Sequence, residues 1–445
     1  MTRLSIPSFK CMLTEAGMRR NVIKSGRSMK FIFIAGLLSL ASTLKAESDF
    51  ANINVMTDFP GGSAVVNDID RNKGVIHISP PIQTERGWPC WWYCKVDGVI
   101  KGQTITFQLT ANTGVYRPNR VLSANWTQPD RAAISVDNVT WSQTEKCVKQ
   151  NGIATYMVEA PAESFWLAWG PPFLPSHADE VLETIKKKLP HATLFELART
   201  RDGRSVRGIR IGSDSKTDSH RYGVWIQARQ HAWEAGSSWV GRGFIEWLAS
   251  DDQAAIDLRE IAIIYYIPIM DVDNVTLGAG GKEAVPRDHN RDWSDTPNYP
   301  EVAAAQKRIL QLNSEQRFDV FVDLHNPGSS ERRPYFFGPM DIEKLPTIQQ
   351  QNHALWLAIS KNSISGPLQL EPGYKFATYV RTEEERNRMS ANWVRNHTAE
   401  HVLSTTLETV WNTPHSTQKG YMTVGAQLGQ VVSRYLGSNP RGSEN

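Results

Sequence analysis

The chain has 445 residues, 40% hydrophobic and 21% charged, with a formal net charge of +3. This is an ordinary globular composition, long enough for two or three domains with buried cores. Eight of the 49 Lys and Arg but only one of the 46 acids fall in residues 1–46, so the remainder carries −4. That excludes a basic nucleic-acid surface, and no apolar run beyond the first fifty residues is long enough to span a bilayer.

Residues 1–46 read as a leader. FIFIAGLLSLAST (31–43) follows Arg19, Arg20, Lys24, Arg27 and Lys30 and ends at LKA before ESDF. Basic residues, a short apolar run and a small-residue end make a secretory signal, with cleavage after Ala46 and Met18 or Met29 as alternative starts. The run is too short for a membrane anchor. The expectation is a secreted or periplasmic protein with no stable membrane insertion after cleavage.

Residues 47–172 carry short β-branched and alternating runs between turn residues: GVIHISPPI, WWYCKVDGVIKGQTITFQLTA, RAAISVDNVTW, ATYMVEAP and FWLAWGPP. This pattern predicts an all-β sandwich, with its Trp residues in the core rather than on a sugar-binding face. Cys90 and Cys94 lie in GWPCWWYCKV. If that stretch is a strand, they stand roughly 13 Å apart, too far for a disulfide. One of them is therefore expected to pair with Cys147, as suits an exported protein; a C-x3-C zinc site lacks a second ligand pair.

From 173 to 445 the pattern changes. SHADEVLETIKKKL (176–189) opens with Ser and acids and closes with lysines, as a helix does. VWIQARQ, IAIIYYIPIM, FDVFVDLH and LSTTLETVW then read as buried strands. PEVAAAQKRILQL, TIQQQNHALWLAIS and TVGAQLGQVVSRYL read as helices. Such alternation predicts an α/β domain with a parallel or mixed sheet.

Polar residues follow these strands, where the ligand crevice of an open α/β sheet lies. His231 and Glu234 come after VWIQARQ, His325 ends FDVFVDLH, and Glu408 sits in LSTTLETVW. Two imidazoles and one carboxylate, with a fourth position for water, make a catalytic zinc site. A further carboxylate must move the water's proton, and Glu408 is the candidate. An Arg beside an Asn, as in Asn290–Arg291, can grip a carboxylate. Each feature has a plain structural alternative: a helix start for His231 and Glu234, a satisfied strand-end residue for His325. His289, His353, His397 and His401 are read as structural.

HAWE, DHNRDW, DLH and TLET, in that order, resemble the motifs of zinc metallocarboxypeptidases of the carboxypeptidase A type. The likeness is closest to the cytosolic-carboxypeptidase-like branch, whose β-sandwich precedes the catalytic domain. The resemblance implies an α/β/α sandwich with a mixed eight-stranded sheet. It implies one Zn2+ per chain on His231, Glu234 and His325, with Asp288 orienting His231. It implies that Asn290 and Arg291 bind the free C-terminal carboxylate of a peptide substrate and that Glu408 is the general base and then acid. It also implies that the sandwich is not an inhibitory segment to be removed. The sequence departs from the family where Ala232 and Trp233 fill the middle of H-x-x-E and where DVDNV occupies 271–275. The position for an oxyanion-stabilising arginine falls on Gly281, next to Lys282. Arg287 is the other cation, preferred for its two-donor fork. Counting back from Glu408 puts Asn392 or Trp393 in the specificity pocket, with Arg386 and Arg395 nearby and Tyr379 as the tyrosine over it. The reading is a secreted zinc carboxypeptidase. The alternatives are a zinc amidohydrolase on peptidoglycan stem peptides or N-acyl amino acids, and a non-catalytic peptide- or sugar-binding module.

Overall fold

The computed structural model describes residues 50–112, 115–117, 120–212 and 221–442, so the leader reading of 1–46 lies outside the described residues. In Thr104–Thr110, TITFQLT, the alternate residues Ile105, Phe107 and Leu109 are buried and those between them are not. Period two turns one face of a strand inward. Ala154, Tyr156 and Val158 repeat the pattern in the antiparallel neighbour Ile153–Glu159. These two strands sit in a five-stranded sheet with Val148–Gln150, Val75–Ser79 and Val65–Asp70. A second five-stranded sheet orders Asn54–Met56, Tyr93–Asp97, Ser164–Ala168, Ala133–Ser135 and Ser142–Gln143. Ile76, Phe107 and Tyr156 of the first share one core with Val96, Phe165 and Leu167 of the second, so the two form a β-sandwich. Trp91, Trp92, Trp141 and Trp169 are buried in it.

The expected disulfide is absent. Cys90, Cys94 and Cys147 are each a buried free thiol. The Cys147 thiol donates instead to the Pro129 carbonyl, at 3.5 Å. Cys90 precedes its strand rather than lying in it, since that strand begins at Tyr93. Burial pushes the Cys94 thiol up to about 12 and raises Cys90 as well, which makes both inert. No metal cluster involving cysteine occurs among the described residues.

The second core belongs to a mixed sheet of seven strands among the described residues, where the family resemblance implied eight. In spatial order they are Ala192–Arg199, Ser205–Ile211, Ala262–Ile267, Tyr222–Ala228, Val320–His325, Leu403–Glu408 and Tyr335–Phe337. The middle four run parallel, and the edges pair antiparallel. Ala262–Ile267, Val320–His325 and Leu403–Glu408 are buried at every residue, as strands covered on both faces must be.

Helices cover this sheet. Ala235–Leu248 and Gln418–Gly437 pack tightly together. A side chain at Gly243 would meet the Met422 carbonyl at 2.1 Å, so only glycine permits that approach. Ser390–His397 lies against Val320–His325 and Leu403–Glu408. The first helix spans Pro175–Lys188, and Ser176 is inside it rather than at its cap. The cap position is Leu174, whose N–H donates to His177 Nδ1 at 2.9 Å. The described residues form one compact unit, and no described helix is long and apolar enough to cross a membrane.

Candidate metal centre

The strand Tyr222–Ala228 ends at Arg229, which turns the chain with a φ of 63°. Its buried guanidinium donates from Nε to the Ala232 carbonyl at 2.9 Å and from Nη1 to the Phe173 carbonyl at 3.1 Å. The loop 229–234 is thereby locked before the helix Ala235–Leu248 begins, with Glu234 at its cap position. His231 and Glu234 therefore precede the helix instead of forming its first turn.

Glu234 is the hub. Its two carboxylate oxygens meet His231 Nδ1 at 2.8 Å and His325 Nδ1 at 2.7 Å. The three side chains are all buried, and their ligating atoms lie within 4.8 Å of one another. The far ring nitrogens face other carboxylates: His231 Nε2 is 3.1 Å from Asp288, and His325 Nε2 is 2.9 Å from Asp323. With a metal bound, a carboxylate behind each Nε2 would hold the proton there and leave the Nδ1 lone pair for the ion, as a metal-binding histidine requires. Two inward imidazole nitrogens and a carboxylate are a donor set that fits zinc. Burial works against the charge of Glu234, yet the two imidazoles hold it down at about 2. Burial opposes protonation of His325 too, but Asp323 and Glu234 raise it well above its usual range.

Asp323 was not foreseen. It is fully buried, and its Oδ2 also accepts from Ser390 Oγ at 2.6 Å and from the Gln230 amide. The signal was present in D-L-H, because a period of two puts Asp323 and His325 on one face of the strand.

Glu408 ends the neighbouring strand, directly opposite His325 in register. It is buried, and its Oε2 has no hydrogen-bond partner among the described residues. Burial pushes this carboxyl up to about 8; His325 and Lys282 pull it down, and Glu234 pushes it further up.

The two candidate cations separate. Arg287 donates to the Arg291 carbonyl and pairs with Glu385, so its guanidinium is engaged away from the ligands. Lys282 Nζ lies 3.3 Å from His231 Nε2 and 3.3 Å from Asp288 Oδ2. Glu385 takes Arg287 Nη2 and the Arg291 carbonyl takes its Nε, so it is Lys282, not the preferred Arg287, whose charge lies beside the ligands. Gly281 cannot be an arginine here, since its φ is +75° and a Cβ would meet Ala232 N and an Asp271 oxygen at 2.6 Å.

Asn290 lies beside His325, with its Nδ2 at 3.3 Å from Nε2, and its Oδ1 accepts the Ser390 N–H at 2.8 Å. Arg291 is half-buried and donates to the Asn290 carbonyl, with no acidic partner among the described residues. Asn392 and Arg395 line a pocket with Phe337, Ala377, Met389 and Thr406. Thr406 is two residues before Glu408 on the same strand, so the pocket opens beside that carboxyl. Trp393 instead stacks in the core on His397 and meets Trp293 at a tilt. Arg386 donates to the Val380 carbonyl. Tyr379 is exposed and rests on Phe337. His289 is tied to Glu301 at 2.9 Å, away from the ligands.

Comparison with known proteins identifies a family and a fold. A family model for zinc carboxypeptidases matches residues 178–410. Zebrafish (Danio rerio) cytosolic carboxypeptidase 2 is 26% identical over 230 residues, 48% of this chain and 32% of that protein. Mouse (Mus musculus) cytosolic carboxypeptidase 3 is 28% identical over 151 residues, 33% of this chain and 15% of its own length. The match therefore spans less than a third of either relative. A crystal structure of a metallo-carboxypeptidase from Burkholderia cenocepacia superimposes with a TM-score of 0.73 at 20% identity, covering 87% of this chain and 99% of that one.

Proposed function

The chain belongs to the zinc carboxypeptidase family, and we propose that it hydrolyses the last peptide bond of peptides bearing a free C-terminal carboxylate. What supports this most is the convergence of His231, Glu234 and His325 with Glu408 opposite His325. One zinc ion on the first three would supply a Lewis acid at the scissile carbonyl and make the attacking water more acidic.

The chain's own residues do the rest. Asp288 and Asp323 hold the two imidazoles in their ligating orientation. Glu408 accepts the water's proton and delivers it to the departing amine, a task suited to a carboxyl whose affinity for protons is raised by burial. Lys282 brings its ammonium to the edge of the site, where it offsets the negative charge that grows on the carbonyl oxygen. Arg291, beside Asn290, grips the terminal carboxylate.

The pocket beside Glu408 receives the terminal side chain. Its one charged lining residue is Arg395, which donates to Asn392 at 2.8 Å and has no acidic partner among the described residues. Burial lowers Arg395 to about 10, so it remains a cation at neutral pH. An acidic terminal residue is the ligand that satisfies it. The basic and apolar layout of residues 1–46 supports export of the enzyme to the periplasm or medium.

The test is metal content of the purified protein together with hydrolysis of matched peptides ending in a free acid or an amide. About one zinc per chain with cleavage of the free acids alone is the expected result. Equal cleavage of the amides would overturn the carboxylate grip, and a well-folded protein that takes up no zinc would overturn the reading altogether.

A further inference from the structure

Lys282 enters the candidate site on a loop that the N-terminal sandwich holds from outside. Gly281 N–H donates to the Arg86 carbonyl at 2.9 Å, and Val285 N–H to the Glu85 carbonyl at 2.8 Å. In return, Trp88 N–H donates to the Lys282 carbonyl at 3.0 Å. Residues 85–88 and 281–285 are thus joined by three main-chain hydrogen bonds. The approach is close enough to require glycine on both sides. A Cβ at Gly87 would lie 2.4 Å from the Lys282 carbonyl oxygen, and one at Gly280 would lie 2.0 Å from that of Trp88.

The side chains continue the contact. The Trp88 ring lies 5.8 Å from Lys282 Nζ, within range of a cation–π interaction, and 4.7 Å from the ring of Trp126. A lysine has four rotatable bonds and loses much freedom when fixed. Here the ring bounds it on one side, and Asp288 Oδ2 receives its ammonium at 3.3 Å on the other. The Lys282 side chain is only 16% exposed.

We propose that Trp88, with the main chain of residues 85–88, is a positioning element of the active site: the sandwich sets where the Lys282 ammonium sits and contributes to turnover through that cation. This rests on the zinc carboxypeptidase reading for its kinetic consequence, but not for the positioning itself.

Two measurements on the full-length, zinc-loaded protein test it. The first is acetic anhydride labelling mapped by mass spectrometry, with the exposed Lys419 as internal reference. Trp88→Ala is expected to raise the Lys282/Lys419 labelling ratio about fivefold, and Trp88→Phe, which keeps a ring face, to restore it to within twofold. An unchanged ratio in Trp88→Ala overturns the positioning. The second is a double-mutant cycle. Trp88→Ala is expected to lower kcat about tenfold with KM held within twofold, and to cause no further loss in a Lys282→Met background. An equal loss in both backgrounds means that Trp88 acts elsewhere and overturns the proposal. Should Trp88→Ala fail to fold, Trp88→Leu keeps the bulk without the ring face, and the same two criteria decide. If the wild-type enzyme cleaves no peptide while the labelling ratio rises, the carboxypeptidase reading falls and the positioning stands.

Discussion

The indole rings of Trp169 and Trp233 meet edge to face with their centres 5.2 Å apart. Trp169 follows the sandwich strand Ser164–Ala168, and Trp233 stands between the paired residues His231 and Glu234. Trp411, three residues after Glu408, is 4.3 Å from Trp169 and 6.1 Å from Trp233. One aromatic cluster therefore ties the loop of His231 and Glu234 to the segment that follows Glu408. Trp169 is 3% exposed, and its Nε1 donates to the Trp126 carbonyl at 2.8 Å. Trp169→Ala is expected to cost about 3–5 kcal/mol, as large-to-small core changes do. Because the cavity borders the metal loop, zinc affinity should fall with it. Denaturant unfolding and a zinc-chelator competition check the two effects. Lost stability with unchanged affinity would show that the cluster does not brace the ligands.

Glu408 is separable from metal binding, since His231, Glu234 and His325 alone meet at the centre. Glu408→Gln keeps the shape and removes the proton acceptor. Turnover is expected to fall by roughly 10²–10⁴-fold, the usual contribution of a positioned acid–base group. Zinc content, read by elemental analysis, should remain at wild-type level. Retained turnover would remove Glu408 from its proposed role.

The parts of this site that were legible in the sequence are those set by strong local patterns. IAIIYYI is a continuous apolar run and VFVDLH opens with one, and both became buried central strands, which fixed His325 at a strand end. Ala192–Arg199 and Ser205–Ile211 went unread, because these outer strands are only partly buried and mix Glu, Arg and Thr with their apolar residues. The helix Ala235–Leu248 hid behind three glycines and two serines, residues of poor helix propensity; Gly236 and Gly243 leave room for Tyr421 and Met422 of Gln418–Gly437, and Gly241 for Tyr266. The choice between Lys282 and Arg287 was beyond sequence reasoning. Their surroundings are set by Glu385, nearly one hundred residues from Arg287, and by a sandwich segment almost two hundred residues upstream of Lys282.

Arg395 is the specificity residue of the proposed function, and that can be measured. Peptides ending in Glu are expected to be cleaved with higher kcat/KM than those ending in Leu. Arg395→Leu should reduce kcat/KM for the Glu-terminated peptide by roughly 10–100-fold, from about 1.5–3 kcal/mol for a hydrogen bond to a charged group. The Leu-terminated peptide should be affected far less. A ratio of the two peptides that does not move on substitution would take Arg395 out of the pocket's function.

His289 is expected to give the protein a pH dependence of stability away from the ligands. It is 1% exposed and faces Glu301 at 2.9 Å, with the ring of Tyr299 tilted against it 4.3 Å away. Burial disfavours its charge, but the hydrogen bond and charge of Glu301, with Asp271 and Asp292, raise the imidazole to about 9 from an ordinary 6.5. A histidine raised on folding stabilises the folded state fully below its unfolded value and loses that contribution as pH climbs through the folded one. The loss therefore runs from about 6.5 to about 9 and amounts to about 3 kcal/mol, at 1.36 kcal/mol per pH unit. Urea unfolding at pH 6 and pH 9.5 should show the wild type less stable at the higher pH. His289→Gln, which cannot be charged, should lose most of that difference. A wild-type protein equally stable at both values, or a variant with the same pH slope, would mean that the His289–Glu301 pair is not ionised in the folded state.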